Sequence, residues 1–215
     1  GGNIAENAGG ARCLKYGVTG DYVMGLQVVL ASGQIIRPGG RTVKNVTGYD
    51  LRSLFVGSEG TLGIVTEATL RLLPKPRHTL TLAAHFPTVE EAAQATTAML
   101  MSGILPVAVE IMDATTIACV EDLLHIGLPL DSGALLLVSA DGNHLDGVQA
   151  DLAALGDVCR ATGARTVQVA TNAAEADLLW RARRSIAPAL ARRRPNKLGE
   201  DIAVPRSQIP AMVRA

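Results

Sequence analysis

Apolar and polar positions alternate in short blocks along this chain, and the blocks change character at Pro74-Lys75-Pro76. Before that point, residues 22–31 and 34–37 read as a hairpin whose tight turn is Ser32-Gly33. Leu51, Leu54 and Phe55 fall on one helical face within 49–56, with Gly57 placed to end the helix, and 61–73 return as a long strand stopped by the prolines. After it, the pattern predicts strand 79–86, helix 88–102, strand 105–112, a short helix near 113–124, strand 133–140, helix 144–162 and strand 165–170. Leaving the short helix aside, this is β-α-β-β-α-β, the split arrangement of ferredoxin-like folds, with helices on one face of an antiparallel sheet. Thr88 followed by Glu90 and Glu91 marks a helix start, because a threonine cap and early acids suit the positive end of the helix dipole. A helix at 173–190 and the Pro-flanked stretch Asp201–Pro205 follow. The domains expected are therefore 1–76 and 77–215, in an α+β chain.

Composition agrees with two modest globular domains: 215 residues, 48% apolar and 19% charged. No run of about 20 apolar residues suggests a membrane span, and the glycine-rich, polar start lacks the pattern of a signal peptide. Cys13, Cys119 and Cys159 are widely spaced and form no C-x-x-C, which points to free thiols in a reducing cytoplasm. Charge is balanced overall and uneven along the chain. Residues 78–177 carry two Lys/Arg against thirteen Asp/Glu, and residues 178–215 carry nine against two. Either the basic tail neutralises the acidic module across a surface, or it faces an anionic ligand. Nucleic acid is the rival partner for Arg181, Arg183, Arg184 and Arg192-Arg193-Arg194. It is disfavoured because Trp180 is the single interleaved aromatic and no nucleic-acid fold signature surrounds it.

Two glycine loops carry the chemistry. One is Gly57-Ser58-Glu59-Gly60-Thr61-Leu62-Gly63, leading without a gap into the strand at Ile64-Val65; the other is Gly1-Gly2-Asn3-Ile4-Ala5-Glu6-Asn7-Ala8-Gly9-Gly10, with Lys15-Tyr16-Gly17 soon after. Glycine permits close backbone approach, and a turn of free N–H groups suits a phosphate or the polar edge of a heterocycle. The two loops in this order, with Gly39-Gly40-Arg41-Thr42-Val43-Lys44-Asn45-Val46-Thr47-Gly48-Tyr49-Asp50-Leu51 between them, resemble flavoproteins of the vanillyl-alcohol-oxidase (PCMH) type. More narrowly, the chain resembles the FAD subunits of bacterial glycolate oxidases and the FAD-linked D-lactate and D-2-hydroxyglutarate dehydrogenases. The resemblance implies the C-terminal part of an FAD-binding domain followed by a ferredoxin-like cap domain. The chain starts without methionine inside a motif, so it reads as an internal fragment whose pyrophosphate loop lies upstream.

The resemblance also implies roles. Gly1, Gly2, Glu6, Asn7, Ala8 and Gly9, with Glu59, Gly60, Thr61, Leu62, Gly63, Ile64 and Val65, match positions that line non-covalent FAD. The bland alternatives are a flexible terminus and a tight helix-to-strand turn. Binding by the fragment itself is expected to be weak or absent. Cys13 is read as a small buried thiol and not as a flavin tether. Trp180-Arg181-Ala182-Arg183 resembles a W-x-x-R element whose last arginine grips the substrate carboxylate, a task for which a planar guanidinium is suited. Lys197 is a weaker second ligand, since Gly199 stands where relatives often have a lysine. Arg181 and Arg184 read as a solvated face. Asp141-Gly142-Asn143-His144 mimics part of a metal signature but reads as a strand-to-helix turn with Asn143 as cap, so no metal is assigned, and the catalytic base is left unknown. The activity implied is oxidation of a D-2-hydroxyacid, of the glycolate or D-lactate type, by hydride transfer to FAD, with electrons passing to a partner subunit or quinone. The alternatives are a flavin oxidase of another alcohol and a non-catalytic folded module.

Overall fold

Gly33 takes φ 83°, a left-handed backbone with open space where a side chain would stand. It turns the chain between β1 (Val23–Val29) and β2 (Ile35–Ile36), which pair antiparallel. In this computed structural model, which describes every residue except Pro195, Lys197 and Ala215, the chain divides into two units, Gly1–Lys75 and Pro76–Ala215.

In the first unit β3 (Ile64–Leu70) lies along the other edge of β1, giving an antiparallel sheet of order β2-β1-β3. The strand is shorter than the 61–73 reading. Residues 61–63 still belong to the preceding turn, and past Leu70 the partner runs out: Arg71 N–H donates to Tyr22 O at 2.8 Å, and Thr19–Asp21 then turn away as a 3₁₀ helix. Three single-turn helices, α1 (Gly2–Ala5), α2 (Cys13–Tyr16) and α3 (Leu51–Phe55), complete the unit. Asp50 starts α3 by accepting the Ser53 N–H at 3.2 Å. Hydrogen bonds from Arg52 first, and then Ser53, hold its carboxyl down at about 2. Phe55 brings α3 onto Val23, Leu26 and Val28, a small core on one face of β1.

The second unit follows the sequence reading to within about three residues at each strand. It runs β4 (His78–Phe86), α4 (Val89–Met101), β5 (Ala108–Asp113), α5 (Ala114–Leu124), β6 (Ala134–Gly142), α6 (Leu145–Ala161) and β7 (Thr166–Val169). All neighbours pair antiparallel in the order β5-β6-β4-β7, the ferredoxin-like arrangement. Thr88 caps α4 reciprocally: its hydroxyl accepts from Glu91 N–H at 3.2 Å, and the Glu91 carboxylate accepts from Thr88 N–H at 3.1 Å.

Three expectations fail here. The sheet carries helices on both faces, not one. Leu82, Ala84, Phe86, Leu136 and Val138 face α4 and α6, while Ala83, Leu135, Leu137 and Met112 face α5 and the helices after β7. The helix read at 173–190 is two, α7 (Ala173–Arg184) and α8 (Ile186–Arg193). Pro188 explains the break, since its ring collides with the carbonyl four residues back, at Arg184, and the chain bends at Ser185. Finally, α6 begins after His144 with no side-chain cap, so Asn143 lies one residue too early to cap it. After a 3₁₀ turn at Arg206–Gln208, α9 (Ile209–Arg214) lies against α4, where Arg214 pairs with Glu90 at 3.2 Å.

Candidate functional sites

The two glycine loops, about fifty residues apart in sequence, meet in the first unit. Gly57 N–H donates to Ile4 O at 2.9 Å and Glu59 N–H donates to Ala5 O at 2.8 Å, so the turn after α3 is laced to the end of α1. Asn7 sits at φ 50° with its Oδ1 accepting the Gly20 N–H at 2.8 Å, and Thr19 donates its hydroxyl to Ala8 O at 2.8 Å. Asn7 and Ala8 thus fix the loop to the turn before β1, while Gly1, Gly2, Glu6 and Gly9 stay exposed.

Within the second loop each glycine has its own reason. Gly57 (φ 80°) and Gly60 (φ 78°) adopt backbone that other residues avoid. Gly63 is needed for packing, because a side-chain carbon there would fall 2.7 Å from Val28 Cγ1 and 2.8 Å from Val29 O. Glu59 has φ 52° without being glycine, a strained geometry that concentrates at functional sites. Thr61 caps the turn, donating its hydroxyl to Ser58 O at 2.6 Å. Above Gly60 the space is open, and beside it Leu62 and Ile64 stand 43% and 68% exposed. A polar backbone turn next to unburied aliphatic side chains fits a flavin, which has a hydrogen-bonding edge and an apolar face. Val65 points the other way, against the small core.

In the second unit α7 is tied to the sheet at two points. Trp180 Nε1 donates to Thr81 Oγ1 at 3.1 Å, and Thr81 in turn meets Ser139 Oγ at 2.8 Å. One turn later, Arg183 Nε donates to Glu110 Oε2 at 2.7 Å. Arg181 is exposed, and Arg184 pairs with Asp177 of its own helix in the open, which separates both from Arg183. The neutralisation reading of the basic tail is realised in Arg183–Glu110 and Arg214–Glu90. Glu110 is not singled out by any motif of the sequence. Its signal was there: alternation puts it on the face of β5 shared by buried Ala108 and Met112, where an acid calls for a countercharge.

The remaining candidates do not gather. Lys197 lies outside the described residues. Cys13 is free but exposed, so the reading of it as a buried thiol fails. Asp141 and Gly142 end β6 and His144 precedes α6, and among the described residues no group of three or more His, Cys, Asp or Glu is placed to hold a metal. His85 is buried, which pushes its pKa down against the opposing pull of Asp131, and its Nδ1 lies 3.4 Å from Ser132 Oγ.

Comparison with known proteins gives these features a context. Residues 75–215 match the profile of FAD linked oxidases, C-terminal domain, and residues 1–39 match an FAD binding domain. The chain belongs to the FAD linked oxidases. Their cofactor is FAD, as the loop pair implied. The chain is 49% identical over 215 residues to the glycolate oxidase subunit GlcD of Bacillus subtilis (strain 168), covering all of this chain and 46% of that protein. It is 39% identical to the Escherichia coli (strain K12) subunit of the same name over 213 residues, 99% of this chain and 42% of the relative. With a D-lactate dehydrogenase of Archaeoglobus fulgidus it shares 50% over 113 residues, 53% of this chain and 25% of the relative. The chain therefore spans less than half the length of these relatives. An alkyldihydroxyacetonephosphate synthase (TM-score 0.67, 22% identity, 89% of this chain and 38% of that one) has the same fold. So does a p-cresol methylhydroxylase (TM-score 0.62, 20% identity, 78% and 38%). These likenesses concern the fold, and the expected fold class is the observed one, an α+β chain whose second unit is ferredoxin-like.

Proposed function

We propose that the protein containing this chain oxidises a small D-2-hydroxyacid, of the glycolate or D-lactate type, to the 2-oxoacid. The observation that carries the reading is the lacing of Gly57 and Glu59 to Ile4 and Ala5 in a chain of the FAD linked oxidases. The names of the relatives supply the substrate class. The reaction removes the hydroxyl proton and a hydride from the α-carbon, so that its C–O bond becomes C=O. FAD, when bound, takes the hydride. Gly60, Thr61, Leu62 and Ile64, with Glu6–Gly9, are the residues that would hold FAD. Arg183 holds the substrate carboxylate through paired N–H donors, with Lys197 as a second cation. No residue of 1–215 is assigned as the base that takes the hydroxyl proton. Electrons pass on to a partner subunit or a quinone, and three free thiols suit a cytoplasmic setting. Among the described residues no helix is long and apolar enough to cross a membrane.

The test is turnover by the purified full-length protein with a dye acceptor, comparing glycolate, D-lactate and a neutral primary alcohol. Oxidation of the two acids, absent for the alcohol, is expected. Turnover of the alcohol alone would sink the carboxylate reading.

A further inference from the structure

We propose that Glu110 is a positioning residue: it holds the Arg183 guanidinium by one edge so that the other is ready for a carboxylate. The proposal rests on the 2-hydroxyacid reading and adds a residue to it. Glu110 lies on β5, an edge strand of the second sheet, and its side chain is 16% exposed against 38% for Arg183. Only Nε of Arg183 is engaged, at 2.7 Å, and among the described residues no hydrogen bond leaves Nη1 or Nη2. A guanidinium is planar, so fixing Nε fixes the direction of the terminal pair. The base of the side chain is fixed too, because Trp180, one turn earlier on α7, is tied to Thr81 and through it to Ser139. An arginine anchored at both ends gives up little rotamer freedom when it takes a ligand, which is how preorganisation raises affinity. The pair Arg184–Asp177 shows the contrast: it joins two exposed residues of one helix and orients nothing toward the sheet.

The rival role for Glu110 is competition, in which its carboxylate occupies Arg183 and must be displaced by substrate. The two roles differ in sign. If Glu110 competes, removing it tightens substrate binding; if it positions, removing it weakens binding.

The experiment uses the full-length protein with three substitutions, Glu110→Ala, Glu110→Gln and Arg183→Ala. It reads KM and kcat for D-lactate, calorimetric Kd for pyruvate, flavin content and Tm. Glu110→Ala is expected to raise KM and Kd about tenfold, the low end of what supporting hydrogen bonds to binding groups carry. Its kcat and flavin content should stay near wild type. Glu110→Gln keeps an acceptor for Nε–H and should recover most of the loss. Adding Glu110→Ala to Arg183→Ala should change nothing further, since the effect runs through the arginine. If Arg183→Ala weakens binding while Glu110→Ala leaves KM and Kd unchanged or improved, the positioning role is wrong and the substrate reading stands. If Arg183→Ala itself leaves KM and Kd unchanged, or wild type binds no pyruvate, the carboxylate site falls and Glu110 with it. A Glu110→Ala protein with lowered Tm but wild-type KM and Kd makes the pair structural only, which also overturns the proposal.

Discussion

Thr81→Val should destabilise the second unit by about 2 kcal/mol, and the reason is a chain of three polar groups. Thr81 and Ser139 are each 2% exposed on facing strands, their hydroxyls 2.8 Å apart, and the Trp180 indole N–H donates to the same Thr81 oxygen at 3.1 Å. Valine keeps the shape and removes the shared atom. Ser139 then holds a buried hydroxyl without its partner, at a cost of roughly 1–3 kcal/mol. The half-buried indole can turn to water, so its loss is taken as about 0.5–1 kcal/mol. The extra buried methyl returns about 0.8 kcal/mol. For a unit of this size the net shift corresponds to a fall in Tm of about 7 °C. Trp180 is the single tryptophan of the chain, so urea unfolding followed by its emission reports on this unit directly. The double variant Thr81→Val/Ser139→Ala removes both buried hydroxyls and should recover at least half the loss. An unchanged midpoint for Thr81→Val, or a double variant no more stable than the single one, would refute the claim that the hydroxyl pair matters.

Two further outcomes follow from backbone geometry. Glu121 closes the end of α5 by accepting the N–H groups of Ile126, Gly127 and Leu128 at 3.2, 3.0 and 2.8 Å. Burial pushes its carboxyl up, but these three donors outweigh it and hold the pKa below the ordinary glutamate value. A depressed folded pKa contributes stability above the unfolded value that is lost as pH falls through the folded one. Glu121→Gln should therefore flatten the stability profile below about pH 4.5 while lowering stability at pH 7, as urea midpoints across that range will show. Gly133→Ala should be far worse than Gly60→Ala. A side-chain carbon at 133 would lie 1.9 Å from Pro87 O and 2.5 Å from its carbonyl carbon, whereas one at Gly60 meets nothing within 4 Å and strains only the backbone. Comparable Tm losses for the two would show that the loop before β6 yields freely.

The second unit was legible because its elements are local and each carries its own period. What was misread was the back of the sheet, and the sign of it lay in β6. Ala134 to Val138 is a continuous apolar run, and a strand wet on one side would alternate. All five are fully buried. Such a run requires cover on both faces, which α5, α7 and α8 supply. The split of α7 from α8 was equally available, since Pro188 sits where a continuous helix would need its N–H.

The site divides along the same line between local and distant information. The count of three glycines in the second loop has a packing component, because Gly63 is also required by Val28 and Val29 across the sheet, whatever the loop binds. A substitution at Gly63 therefore tests packing, while the exposed pair Leu62 and Ile64 tests ligand contact. The lacing of the two loops was beyond any local pattern, because it depends on Phe55 bringing α3 onto β1, so that the residues following it reach α1. Glu110 shows the opposite case. Its partner stands 73 residues away, yet one acid on an otherwise apolar face already requires a cation, and the basic segment after residue 177 was the place to look for it. Burial of charge is thus a long-range signal that a sequence does carry, whereas hydrogen bonds between backbone loops leave no trace in residue identity.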